Sequence, residues 1–460
     1  MLGRFPYLAT LMFLAVVAMS TQPILAQAGG DDDDAIAAGG GVIIDAEGFL
    51  SARAKVDAGG ALTMRRLSEA KVSVDQELQK PSKLRKVSLV RLEKQVRELL
   101  DAGKPIPDDM QYLAGLTRIT HVFYYPETDD IVVAGPAEGY FRTGNGHMVG
   151  MSTGSAVLHL QDLIVALRAF SPDSNTRVIS VSIDPTQDGL RNLNNAKRGT
   201  GAVNRNQAMD VARFYRDALG YQEITIKGVS PKTHFAQVLA EADYNMKLIG
   251  IGLEQPQVDI TSFIEVATTR SAATMQRWFF QPNYNSVTVA EDSMAMELTG
   301  SGVQLLGENE TVSNQGKRTR TGKLNKASQK FTASFTEAYD KLAEVSPIYG
   351  ELRNLMDLSI AAAFIQKMGL YEKAGWSMDS FGDESIVSVE RFRAPQKVDA
   401  VLNAVWRGST LLPAIAGGVT IQPRVCLNSD KVTVDTEGKI NEVKSSIVFD
   451  DLKDGQWWWD

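Results

Sequence analysis

The residues that could do chemistry are few and far apart. Gly150-Met151-Ser152-Thr153-Gly154 fits the G-x-S-x-G nucleophile elbow, in which a strand-to-helix turn lifts a serine hydroxyl to within reach of a histidine and two amide donors. His147 is the nearest imidazole, so Ser152 and His147 are the candidate nucleophile and base of a hydrolase. The flanks read differently from an elbow: a glycine-rich loop from Thr143 comes before, and a strand beginning Ala156-Val157-Leu158-His159-Leu160 comes after. Ser68-Glu69-Ala70-Lys71 matches S-x-x-K, but no S-D-N or K-T-G accompanies it. Gly144 to Gly150 is one residue too long for a dinucleotide fingerprint, and neither a Walker motif nor H-E-x-x-H occurs. The four histidines, His121, His147, His159 and His234, are too dispersed to spell a metal site by spacing. The expectation is therefore no metal and no cofactor, with His147 the histidine to watch because it lies in a loop. Cys426 is the only cysteine; it forms no intrachain disulfide and reads as a small buried side chain.

Two features suit binding rather than catalysis. Between Glu310 and Glu337 there is no acidic residue, while Lys317, Arg318, Arg320, Lys323, Lys326 and Lys330 follow one another. As an exposed loop this segment would present a positive field to an anionic envelope polymer, with Lys317, Arg318, Arg320, Lys323 and Lys326 as the contact residues. At the other feature, Trp457, Trp458 and Trp459 stand in a row near residue 460. In an extended tail their side chains alternate in direction, so one face could pack on the protein while the other anchors a partner subunit or a sugar. On that reading, a chain cut after Asp454 keeps its thermal stability and loses self-association or envelope retention.

Composition sets the frame for these residues. The chain has 460 residues, 44% hydrophobic and 22% charged, which is ordinary for folded protein and excludes wholesale disorder. The net charge of −7 gives no global attraction to nucleic acid. Arg4, the apolar run Leu8 to Met19 and Ala26-Gln27-Ala28 have the three parts of an export signal. The run falls short of the roughly 20 residues of a membrane span, so the expectation is a cleaved leader 1–28, an exported mature chain starting at Gly29, and no transmembrane helix in it.

The elements that must position the candidates follow from periodicity. A flexible acidic and glycine-rich linker, 29–41, leads to an N-terminal α+β domain, 42–150. There, hairpins are expected near Val42 and His121, and Ser88 caps a helix carrying Leu89, Leu92 and Val96 on one face. Residues 151–310 read as a mixed α/β domain. Ile179, Val181 and Ile183 form a strand, with Asp184 capping the next helix. Ile224 to Ile226, a helix through Val238 and a strand over Lys247 to Leu253 make a β-α-β unit. An antiparallel meander spans 277–307. A basic linker or loop, 311–330, precedes a C-terminal region, 331–460. That region has a helical hairpin whose second helix, apolar nearly all round from Leu358 to Ile365, is buried. Beyond it come irregular and strand segments with one helix near Val398 to Trp406. The fold class is thus α+β with mixed sheets and two to three domains.

Several segments together resemble a family of secreted planctomycete-type bacterial proteins built on a domain of unknown function. They include Leu84-Arg85-Lys86-Val87-Ser88-Leu89, Tyr112 to Ile119, Ala134 to Gly139, Ser182-Ile183-Asp184-Pro185-Thr186, Ala242-Asp243-Tyr244 and Phe331 to Thr336. The resemblance implies export and a shared architecture and brings no reaction with it. Two classes of function remain. One is a non-enzymatic envelope protein acting by self-association or polymer binding; the other is an exported hydrolase using Ser152.

Overall fold

The computed structural model describes residues 41–52, 57, 59–200, 203–268, 271, 275–403, 405–406, 410–411, 415–445, 452–453 and 455–460. The expected leader and residues 29–40 of the expected linker lie outside them. The fold is α+β, with two large sheets and helices packed on and between them.

Local rules account for many elements. Asp45 accepts from the amides of Glu47 and Phe49, and with Gly48 at φ 76° it turns Val42–Ile44 back onto Phe49–Ala52. Ser88 accepts from the Arg91 amide and starts helix α1, Leu89–Asp101, whose Leu89, Leu92 and Val96 are buried. Gly103, at φ 66°, follows its end. Helix α2 is Leu160–Ala169, α3 is His234–Gly250 and α4 is Pro347–Lys367. Pro347 sits in the first turn of α4, where its missing N–H costs nothing. Every residue of α4 from Ile348 to Ile365 is buried, and α2 and α3 both pack against it.

The nine-stranded sheet has at its middle Tyr221–Lys227, Ile179–Pro185, Ile415–Ile421, Met275–Asn283 and Gly302–Val312, in that order. The seven-stranded sheet runs Val432–Asp435, Ser286–Ala290, Ala295–Thr299, His121–Tyr125, Asp130–Ala137, Ser82–Ser88, Trp458–Trp459. One apolar cluster extends from Val42 to Trp457 and includes side chains of both sheets and of α4. Both sheets also draw strands from more than one of the expected segments: Ala295–Thr299 pairs with His121–Tyr125, for example.

Several expectations are corrected. Lys247 to Gly250 complete α3 instead of forming a strand. Gly250 is the point where that helix comes so close to the sheet that a Cβ would run into the Trp278 ring. The β-α-β unit closes instead on Met275–Asn283, which runs parallel to Tyr221–Lys227 with two strands between them. The expected meander is divided. Met275–Asn283 pairs with Gly302–Val312 in one sheet, while the intervening hairpin joins the other beside His121–Tyr125. Alternation of apolar residues specifies a strand's faces but not its sheet. Asp184 stays in its strand and Thr186 caps the following helix. Lys397–Asp399 and Val405–Trp406 are strands where a helix was expected.

The basic segment and the tail are corrected as well. Arg318–Arg320 is an edge strand paired with Glu310 to Val312, not a free loop. Arg318 is paired with Asp184 and Glu310, and Arg320 with Glu308. The counter-charges missing from the local sequence are thus supplied by neighbouring strands, and the exposed cations left are Lys317, Lys323, Lys326 and Lys330. Trp458–Trp459 pair with Lys86 and Val87 at the edge of the seven-stranded sheet. Trp457 and Trp459 are buried, and the Arg85 guanidinium lies 4.6 Å from the Trp458 ring centroid. The tail is therefore packed on its own protein on both faces, so the expectation that cutting it leaves stability unchanged is reversed.

Candidate functional site

Three histidines far apart in sequence meet where α2, α3 and α4 converge. His159, in extended conformation, is the residue before α2, and Asp162 lies in that helix's first turn, where a carboxylate is favoured by the helix dipole. Thr233 caps α3 by accepting from the Ala236 amide, which fixes His234 as the first helical residue. Glu241, seven residues on, lies two turns along the same face. Glu351 comes from α4, and His147 from the loop before the strand Met148–Gly150.

The contacts are specific. His234 donates through Nδ1 to Asp162 Oδ2 at 2.8 Å, and His147 donates through Nδ1 to Glu351 Oε1 at 2.9 Å. The His159 and His234 rings stack 4.7 Å apart at 10°, with Tyr112 edge-on to His159 and Phe392 tilted against His234. His234 is 1% exposed and Glu241 1%. Nε2 of His159, Nε2 of His234, Oδ1 of Asp162, Oε2 of Glu241 and Oε2 of Glu351 are all buried without a hydrogen-bond partner. Buried polar atoms are rarely left so, and five in one place mark a site rather than a packing error.

Burial alone would discharge every group here, and the shifts record which neighbours resist it. Burial pulls His234 down, but Asp162, Glu351 and Glu241 outweigh it and raise its pKa to about 9. For His147, too, burial is outweighed, by Glu351, and the net shift is upward. His159 is held well below the ordinary range by burial and by the charge on His234. Burial raises Glu241 to about 8. The carboxylates thus favour the protonated ring at His234 and His147, and burial with the His234 charge favours the neutral ring at His159.

A cleft of about 550 Å³ opens over His159, within the range of small-molecule sites. Its apolar walls include Leu100, Ile106 and Ile164, together with Val387, Val389 and Phe392; its polar lining includes Arg142, Arg391, Gln111 and Gln161. No carboxylate stands among the described residues that line it.

The structure brings His147 into this cluster but leaves Ser152 out. Ser152 is exposed in a turn whose Ser152 and Thr153 amides donate to the carboxylate of Glu138. No histidine is bonded to Ser152 among the described residues. The flanks also differ from expectation: the strand Met148–Gly150 comes before, and the residues after it run through a bridge at Ala156 to the start of α2. Cys426 is half-buried, its thiol pushed up to about 11 by burial, as befits an inert side chain. His121 sits in its strand with its pKa lowered to about 4 by burial.

His159, Asp162, His234, Glu241 and Glu351 were not singled out from sequence as site residues. One signal was available. Glu351, Arg353 and Asp357 punctuate a helix read as buried, and a buried charge requires partners.

A family model described as a protein of unknown function, DUF1598, matches residues 181–263. The chain thus carries that domain, which supplies His234 and Glu241 to the site, while His147, His159, Asp162 and Glu351 come from outside the matched segment. Comparison with curated proteins and with solved structures finds no match.

Proposed function

We propose that the protein is an exported, non-enzymatic binding protein of the cell envelope, and that its cleft takes a small molecule with an anionic group and an apolar body. The observation that carries this reading is the cleft lining: Arg142, Arg391 and His159 together with aliphatic and aromatic side chains, and no carboxylate among the described lining residues. Arginine forks suit carboxylate and phosphate groups, and the apolar wall contributes affinity by burial. Calorimetric titration with aliphatic and aromatic monocarboxylates of graded length tests it against their neutral amides. Carboxylates should bind at least ~10-fold more tightly than the amides, which corresponds to one charge-assisted contact of about 1.4 kcal/mol. Arg142→Gln with Arg391→Gln should remove that preference. Equal binding of acids and amides, or no binding of either, would refute the reading.

The hydrolase alternative has no support from the placement of Ser152. A broad fluorophosphonate probe should leave the protein unlabelled, and Ser152→Ala should change neither labelling nor melting temperature. Stoichiometric labelling lost in Ser152→Ala would reinstate the serine as a nucleophile.

A further inference from the structure

We propose that His159, Asp162 and His234 bind one divalent transition-metal ion of the Zn2+ class at the floor of the cleft. Each of the three residues offers a ligand atom within 4.8 Å of those of the other two. Ligand atoms around Zn2+, with bonds of roughly 2.0–2.1 Å, lie roughly 3.3 Å apart, so the set closes when the His159 ring turns out of its parallel stack on His234 and aims a nitrogen lone pair at the ion. The second observation is the unsatisfied valence. Nε2 of both histidines and Oδ1 of Asp162 are buried with no hydrogen-bond partner, while Nδ1 of His234 is already held by Asp162 Oδ2. Nδ1 and Nε2 of one ring point to opposite sides, so Asp162 and His234 reach the same ion only where they already face one another: the ion takes the place of the proton between Nδ1 of His234 and Asp162, with His159 supplying the third ligand.

The supporting structure is rigid. His159 and Asp162 start α2, His234 starts α3 behind the Thr233 cap, and both helices pack on the fully buried middle of α4. Two imidazoles and a carboxylate suit Zn2+, Fe2+, Ni2+ or Cu2+ rather than Mg2+ or Ca2+, which take oxygen ligands. Glu351 and Glu241 stand behind the triad, each with one unpartnered buried oxygen. They supply negative charge for a dication without being required as ligands. Three protein ligands leave a coordination position open, and since His159 lines the cleft, that position faces it. An anionic ligand in the cleft would complete the shell, a statement that rests on the cleft reading above; the metal site itself does not.

The test uses the full chain, stripped with chelator and dialysed, and titrated with ZnCl2 by calorimetry and with CoCl2 by visible absorption. The expected result is one equivalent of either ion, with Co2+ giving the ligand-field bands of nitrogen and oxygen coordination. His159→Gln, a change at the partly exposed member of the triad, should weaken both at least ~10-fold while the melting temperature of the stripped protein stays that of the parent. His121→Gln, a histidine outside the cluster, should leave uptake unchanged. Absence of Zn2+ and Co2+ uptake by the full chain, or uptake unaltered in His159→Gln, would overturn the proposal. Zn2+ uptake that persists in a protein showing no carboxylate preference would sink the cleft reading alone.

Discussion

A chain cut after Asp454 melts ~10 °C or more below the full-length protein. Trp457 is part of the main apolar cluster, and Trp459 packs in a second one with Phe123, Val132 and Ile440. Removing a buried tryptophan side chain costs about 3–5 kcal/mol, and each kcal/mol moves the melting point of a chain of this size class by about 2–4 °C or somewhat less. Arg85 adds to the loss. It is fully buried and gives Nε and Nη2 to the two carboxylate oxygens of Asp460, while Nη1 and Nη2 also reach the carbonyls of Ala114 and Lys80. Cutting the tail leaves that guanidinium inside the protein without its counter-charge, which is strongly destabilising. Burial raises the Asp460 pKa, but the hydrogen bonds and charge of Arg85 outweigh it, and the net shift is downward. A carboxylate depressed in the folded state contributes stability above its unfolded pKa of about 3.9 and loses it as pH falls further. The gap between the full-length and cut chains should therefore narrow below about pH 4. Scanning calorimetry across pH 3–7 reads both effects, and a cut chain melting within two or three degrees of the parent at pH 7 would show the tail to be dispensable.

Glu93→Ala should lower stability by about 3–5 kcal/mol and weaken the cleft with it. The Glu93 carboxylate is buried within α1 and accepts from the amides of Ser380 and Phe381, at 2.7 and 2.6 Å, and from the Trp376 indole N–H. It thereby ties α1, which supplies Leu100 to the cleft, to the chain that continues into Val387, Val389 and Phe392, which also line it. Alanine leaves three buried donors unsatisfied, each costing about 1–3 kcal/mol, though not additively. Glu93→Gln should fall between, because the amide retains one acceptor oxygen while its NH2 faces a donor. Urea unfolding measures the midpoint shift. A Glu93→Ala midpoint equal to that of Glu93→Gln would mean that the carboxylate's hydrogen bonds contribute little.

What was legible in the sequence is what short-range physics encodes. The Ser88 cap and the spacing of Leu89, Leu92 and Val96 specified α1, and the apolar run from Leu358 to Ile365 marked α4 as buried. The alternation of Ile179, Val181 and Ile183 marked a half-buried strand. Composition placed the chain among folded proteins, and the mixture of helical and strand periodicities made it α+β. Where two periodicities compete over a few residues, as from Lys247 to Leu253, pattern alone chose wrongly. Helix and strand both bury Ile249 and Ile251, and the helix prevails because Gly250 lets α3 seat against Trp278.

The site belongs to the tertiary structure. His147, His159, His234 and Glu351 are spread over some two hundred residues and share no spacing, so no local pattern could announce them. They meet because α2 and α3 each begin at the same side of α4, and helix packing is decided by whole apolar faces rather than by the polar residues at their ends. The same long-range pairing overruled two local readings. Arg318 and Arg320 lost their free charge to Asp184, Glu308 and Glu310 on adjacent strands, and the tryptophan tail became a sheet edge sealed by Arg85. By itself the sequence determined the fold class and individual elements, because caps, turns and periodicity act within a few residues. Which sheet each strand joins, which charges are neutralised and which histidines share a cavity were decided only in three dimensions, because burial and electrostatics depend on distance in space and not on separation along the chain.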